Sequence, residues 1–536
     1  MLSAQEQINK EVPCPDWLNG DFFIDIYNKD PRNEGKKITA TVKKCSAVVD
    51  VGDNYTSTMY RVNVEATFDG GEAQSDNFIV KAMIHMTEAF KDFSVFPIEI
   101  EAYEQALPAM EGFWREIGQE VEFGPKCLHT ISEPNEIIVL SDLRDKGFVM
   151  ANRFEGLDMQ HSKLLLAQLA RFHASSVIYK QRNEKFGPRL GREVFDRKMK
   201  KVFDSFFATN FTTFLTFIES VESLKPYYDK CEKWRHNMFE RIIKTSNVSQ
   251  DTSEFCVLNH SDMWINNHMY KYDENGSPTD VIFIDFQMSH WGRPSIDLMY
   301  FMFSSVRPEI VVQEYDTLIA HYHSILVDSL IKLGYEKTPP LLKDIHIQIL
   351  QNSAYGALCL PGITAVVLMD KNEDAKMENF FSDGDAAEKM RQKMFFNPRF
   401  ENKLKLFLPF FEKRGLLEVE DVPESEIIPD EPAPVIPTPA TDDSEVPLAP
   451  NDNNVEAKLP PEEPSRESLA EAVKEDEQSI QVTPVVNGVK ENGVKENGVE
   501  EVQKDAPSSN NEVKENNAFN KETNNQSSDD IEVTAL

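Results

Sequence analysis

The chain has 536 residues, with 90 Asp and Glu against 56 Lys and Arg and a formal net charge of −34. Such a field repels nucleic acid and anionic membranes as main partners; no run of 18 apolar residues is present, so no membrane-spanning helix is expected. The start, MLSAQEQINKEV, lacks the apolar stretch of a secretion signal, and six scattered cysteines (Cys14, Cys45, Cys127, Cys231, Cys256, Cys359) without a CxxC pair read as reduced, mostly buried thiols of a cytoplasmic protein.

Length alone allows two to four domains. Residues 1–37 read as an N-terminal extension. The segment VVDVGDNYTSTMYRV (48–62) then reads strand, turn, strand around Gly52. Turn N–H groups there, with Thr56 and Ser57, suit phosphate oxygens, though an ordinary hairpin turn looks the same. RVNVEATF (61–68) alternates Val62, Val64, Ala66 and Phe68, DGG follows, and SDNFIVKAM (75–83) returns. This is a second hairpin, with Lys81 inside its return strand. A lysine there is either an edge residue that keeps its ammonium in water or a phosphate ligand.

Pro97 suits a first helical turn, and Pro108 is expected to end the helix. Between them Phe96, Ile100, Tyr103 and Leu107 form one apolar stripe. At about 100° per residue, Glu99 lies about 70° from the stripe's centre and Glu101 about 130°. Glu99 is therefore the expected partner of Lys81, and Glu101 the expected solvent-facing residue. EIIVLSDL (136–143) is an apolar run ending at a polar step, the expected hinge between two lobes. Its backbone, Ser141 and Leu143 included, would bond adenine. A helix capped by Ser162 follows, with Leu166, Leu169, Ala170, His173 and Val177 on its inner stripe. His173 reads as a satisfied core histidine. The Phe-rich FDSFFATNFTTFLTF (203–217) reads as a core helix, with the wall of an apolar substrate pocket as the alternative.

In NHSDMWINNHMYKYDENGSPTDVIFIDFQ (259–287), HMYKYD and DVIFI have strand composition, and ENGSP between them holds Asn-Gly and Pro. A hairpin of equal arms returns its outer ends to one place, so Asp262, Asn267 and Asp285 are expected together. Two carboxylates and an amide oxygen are hard ligands that suit Mg²⁺ better than zinc. If Asn267 and Asp285 take the metal, Asp262 is left to accept a proton from an attacking hydroxyl. H-x-D-x-x-x-x-N, a hairpin, then D-F is the catalytic-loop and metal-loop pattern of kinases. The bland alternative is a pair of Asx caps stabilising turns.

Composition breaks near residue 420. From Asp421 to Leu536 there are 28 acidic and 8 basic residues, thirteen prolines and a single aromatic, Phe519. So polar a tract cannot bury enough apolar surface to offset the entropy of ordering. Residues 419–536 are expected to be a disordered acidic tail, its partner unknown.

The stretches NHSDMWINN, VIFIDFQMSHWGRPSIDLMYF, FIVKAM, FPIEIEAYEQALP, VLSDLRDKGF, GLDMQHSKLLLAQLARFHASS and FFNPRFENKLKLFLPFFEKRG together resemble the ecdysteroid-kinase-like (CHK kinase-like) family, relatives of choline kinases and aminoglycoside phosphotransferases. The resemblance covers roughly residues 12–418. It implies an α+β, two-lobed protein-kinase-like fold, with a β-rich N-lobe (38–143) and a mostly helical C-lobe (144–418). It also implies ATP in the cleft with Mg²⁺ on its phosphates, and transfer of the γ-phosphoryl group to a small-molecule hydroxyl. By resemblance Asp262 is the catalytic base, Asn267 and Asp285 the Mg²⁺ ligands, Lys81 the phosphate lysine and Glu99 its ion-pair partner. Asp297 is the acid that braces the catalytic loop. The family usually has Gly at Ser261 and Glu at Ser141. The runner-up reading is a catalytically silent kinase-like scaffold.

Overall fold

The computed structural model describes residues 11–48, 57–83, 95–133, 136–183, 186–191, 195, 197, 200–249, 252–370, 372, 375, 377–382, 384–418 and 421–427. The turn that holds Gly52 and Thr56, and the acidic tail from 428 onward, lie outside the described residues.

Five antiparallel strands, β1 (Ile38–Ala47), β2 (Ser57–Phe68), β3 (Gln74–Met83), β4 (Cys127–Ile131) and β5 (Ile137–Ser141), form one sheet in the order β1-β2-β3-β5-β4. Strand alternation sorts their side chains onto two faces. Val62, Val64, Ala66, Phe78, Val80, Ile137 and Val139 pack on one face against helix α1 (Gly20–Asn28), through its Phe23, Ile26 and Tyr27. Ile79, Ile138 and Leu140 join the main core on the other. Lys81 follows Ile79 at the two-residue period, and lies opposite Met59 of β2 and Ile138 of β5. It is thus an interior residue of a central strand, not an edge lysine.

Pro108 does not end the helix that Pro97 begins. Helix α2 (Phe96–Glu101) runs through a π-helical turn (Ala102–Ala106) into α3 (Leu107–Glu116) without leaving helical geometry. Proline lacks an N–H and its ring collides with the carbonyl four residues back. The wider π turn, bonded i to i+5, accommodates that ring. Leu107, Met110 and Trp114 of α3 stay buried, and the Trp114 indole N–H donates to Ser175 Oγ at 2.7 Å.

Helix α4 (Met159–Arg182) starts earlier than its expected cap. Asp158 caps it by accepting from Gln160 N and His161 N, both at 3.0 Å, while Ser162 sits in the first turn and donates to Asp158 O at 2.6 Å. Aspartate at the positive end of the helix is the stronger acceptor. The Phe-rich segment lies on α5 (Lys200–Ser220), whose Phe207, Phe211, Phe214 and Phe217 are buried in the main core. Two short sheets hold the segment 257–292: β6 (Val149–Met150) with the hairpin β8 (His268–Tyr272) and β9 (Pro278–Phe283), and β7 (Val257–Asn259) with β10 (His290–Gly292). Helix α4 packs against β7 and β9, while α6 (Ser295–Ser304) and α8 (Pro398–Arg414) both touch α7 (Pro308–Lys332), which packs on α4. The architecture is α+β, a β-rich N-terminal lobe followed by a mostly helical C-terminal lobe, the kinase-like arrangement.

None of the six cysteines forms a disulfide. Among the described residues no helix is long and apolar enough to cross a membrane. Lys403 of α8 is a buried lysine away from residues 257–292: it donates to Ser304 O at 2.8 Å, at the carbonyl end of α6, with the Phe407 ring centre 5.5 Å away. Burial pushes its ammonium down to about 7 against the attraction of Glu309.

Candidate active site

The hairpin forms where its Asn-Gly turn lies. Asp273 Oδ1 accepts from Asn275 N and Ser277 N, and Gly276 takes φ +77°, which glycine adopts at little cost. The register sets His268 opposite Phe283, and Ile284 N donates to Asn267 O at 3.0 Å. Asn267 and Asp285 thus stand at the same end of the hairpin. His260 adds a second tie. Its Nε2 faces Ile284 O at 2.9 Å, so that nitrogen carries the proton, and Nδ1 accepts from Asp262 N at 3.3 Å.

Lys81 Nζ lies 2.5 Å from Glu99 Oε2 and 2.6 Å from Asp285 Oδ1. The sheet, α2 and the end of β9 therefore meet at one ammonium. Burial opposes the charge on Lys81, but Asp285 and Glu99 outweigh it and hold the group above the ordinary lysine value. Burial pushes Glu99 up to about 7 against the pull of Lys81. One cation between two carboxylates leaves a net negative pocket if both acids are ionised.

Asp262 is held on both oxygens. Asn267 Nδ2 donates to its Oδ2 at 2.8 Å and to its backbone O at 2.9 Å, and the Tyr300 hydroxyl donates to its Oδ1 at 2.6 Å. Burial, reinforced by Asp285, pushes its carboxyl up to about 6 against these hydrogen bonds. The fully buried Asp297 accepts from His260 N at 2.8 Å and Ser261 N at 2.7 Å, and so fixes the loop backbone. His173 completes the brace, Nε2 on Asp297 at 3.1 Å and Nδ1 on the Tyr322 hydroxyl at 2.7 Å. It is the satisfied core histidine that the stripe suggests.

Ser261 has φ +67°, the left-handed region where a side chain is strained. Its hydroxyl gains a 2.7 Å hydrogen bond with His290 Nδ1. Ser261→Gly relieves strain and loses that bond, each worth about 1 kcal/mol, so stability should barely move. Ser261→Ala keeps the strain and loses the bond. Its urea midpoint should lie below that of Ser261→Gly by the equivalent of about 1 kcal/mol.

At the expected hinge, Ser141 N donates to Lys126 O at 2.9 Å and its hydroxyl accepts from Lys126 N at 3.1 Å. Leu143 is buried with Phe148, Met269 and Ile282. Between them Asp142 is clamped by Arg61 of β2, a pair that sequence reading did not anticipate. Glu101, expected in solvent, is 2% exposed. It accepts from Arg189 N at 3.3 Å and Leu190 N at 3.2 Å, and a side chain at Gly187 would collide with it. Stripe arithmetic fails there because the far face of α2 meets a segment almost ninety residues later. Gly52 lies outside the described residues.

The family profile for ecdysteroid kinase-like proteins matches residues 51–335, more than half of the chain. No curated protein matches it. Among solved structures, the chain is similar to spectinomycin phosphotransferase in complex with ADP and spectinomycin (13% identity, TM-score 0.38, 74% of this chain and 99% of that one). It is also similar to a choline kinase from Streptococcus pneumoniae (14%, 0.29, 63% and 89%) and an ethanolamine kinase from Plasmodium vivax (11%, 0.30, 68% and 84%).

Proposed function

Because the chain belongs to the ecdysteroid kinase-like family, we propose that it transfers the γ-phosphoryl group of ATP to a hydroxyl of a small molecule, an ecdysteroid or another partly apolar alcohol. The observation that carries this reading is the convergence of Lys81, Glu99 and Asp285 at 2.5–2.6 Å, tied through the hairpin to Asn267 and Asp262. It takes 38–143 and 144–418 as lobes around the nucleotide, in a cytoplasmic protein, with 419–536 as an acidic appendage to them.

The donor set fits Mg²⁺. Asn267 commits its Nδ2 to Asp262 and keeps its amide oxygen uncommitted; Asp285 gives one oxygen to Lys81 and the other only a 3.3 Å contact from Gln287. Both are hard oxygens. Among the described residues no group of three or more His, Cys, Asp or Glu could hold a metal, so phosphate and water would supply the remaining ligands. Bound there, the ion would offset the phosphates' negative charge. Lys81 adds a cation for the phosphate oxygens, and Glu99 keeps it aimed. Asp262 orients the acceptor hydroxyl and takes its proton as the new P–O bond forms and the bond to ADP breaks.

Release of ADP from Mg·ATP, measured with ecdysone and with a panel of other apolar alcohols, tests the reading. A wild-type protein that binds no ATP would sink it and leave the silent-scaffold alternative. Asn267→Ala and Asp285→Ala should each move the Mg²⁺ midpoint of activity upward at saturating ATP. Unchanged midpoints would remove both residues from the metal.

A further inference from the structure

We propose that Tyr300 is a positioning residue for the phosphoryl transfer, aiming the Asp262 carboxylate at the acceptor hydroxyl; this rests on the reading of Asp262 as the base. Tyr300 lies on α6, three residues after Asp297. Residues at that spacing share one face of a helix. Asp297 holds the catalytic loop by the N–H groups of His260 and Ser261, and Tyr300 holds the same loop by the Asp262 side chain. One helical turn therefore fixes both the backbone and the functional group.

The geometry is specific. A carboxylate can turn about its bond to Cβ, and a base that turns loses the line to its hydroxyl. Asn267 holds Oδ2 at 2.8 Å and Tyr300 holds Oδ1 at 2.6 Å, so the plane is pinned at both oxygens. Each oxygen has a second lone pair, and one remains for the acceptor. The Tyr300 ring is half-buried beside Tyr355, with centroids 6.5 Å apart. The ring is thus held by packing while the hydroxyl is committed to Asp262. A tyrosine needed only for the core would be replaced by phenylalanine without loss.

Tyr300→Phe keeps that ring and removes only the hydroxyl. ADP release from Mg·ATP is to be followed with ecdysone as acceptor and with water alone, in wild type, Tyr300→Phe, Asp262→Asn and the double variant. The expected result is a roughly tenfold lower kcat for Tyr300→Phe, at the scale of one lost hydrogen bond to a charged group. KM for ATP and the melting temperature should stay near wild type. Added to Asp262→Asn, the substitution should cost nothing further, because the group it aims is gone. Wild-type kcat in Tyr300→Phe overturns the inference, as does an equal loss in both backgrounds. If wild type binds no ATP, the kinase reading itself falls, and this inference with it; if ecdysone is not turned over, the comparison is made with the alcohol of the panel that is.

Discussion

Asp262→Asn should bind Mg·ATP within a few-fold of wild type, stay folded, and lose turnover by roughly 10²–10⁴-fold, or about 3–5 kcal/mol of barrier. The amide matches the carboxylate in size but cannot take the proton of an attacking hydroxyl. Nothing in the nucleotide cradle depends on it directly, since Lys81 is held by Glu99 and Asp285. Asn267 would lose its bond to Asp262 Oδ2 only in part, because its Nδ2 also donates to the backbone oxygen of residue 262. Calorimetric ATP binding beside a product assay separates the two effects. Normal turnover would show that Asp262 is not the base. Lost ATP binding would show that it supports the cradle.

Lys403→Met should stabilise the protein at pH 6 by roughly 2–4 kcal/mol. Lys403 is buried, and its folded-state value of about 7 lies far below that of an unfolded lysine, about 10.4. Below pH 7 both states bind the proton, so the full penalty of burying the charge is present. Between about 7 and 10 the unfolded chain binds a proton that the folded chain releases, so wild-type stability should rise with pH. Methionine removes this slope and fills the same volume, at the cost of the hydrogen bond to Ser304 O. Urea unfolding of both proteins at pH 6 and pH 9 measures the difference, which should shrink at the higher pH. A variant less stable than wild type at pH 6 would mean that the ammonium contributes more at the end of α6 than its burial costs.

What could be read in advance was local. The hairpin of the catalytic motif is legible because Asn-Gly marks its turn and apolar arms flank it, and equal arms force the ends together. Lys81 is legible as a strand residue because SDNFIVKAM returns, after DGG, from the alternating Val62, Val64, Ala66 and Phe68. Glu99 is favoured over Glu101 by helical angle, and it is Glu99 that reaches Lys81. The burial of Glu101 is a different matter. It depends on the backbone of residues 189–190, which no periodicity in α2 encodes. The role of Tyr300 is not legible in SIDLMYF alone; its three-residue spacing from Asp297 gains meaning only where the 260–262 loop lies against α6. At Ser141 the apolar run shows a strand end, while the bond of its N–H to Lys126 O depends on the pairing of β5 with β4.

The π turn at 102–106 fits one extra residue into roughly the arc of a single α turn. Deleting one of its residues would therefore let α2 and α3 run as a single α-helix in nearly the same phase, and Glu99 could keep Lys81 while Trp114 keeps Ser175. What the deletion removes is the room for Pro108, whose ring would then meet the carbonyl four residues back inside a plain α-helix. A shortened segment should therefore fold well only when Pro108 is replaced by a residue that has an N–H.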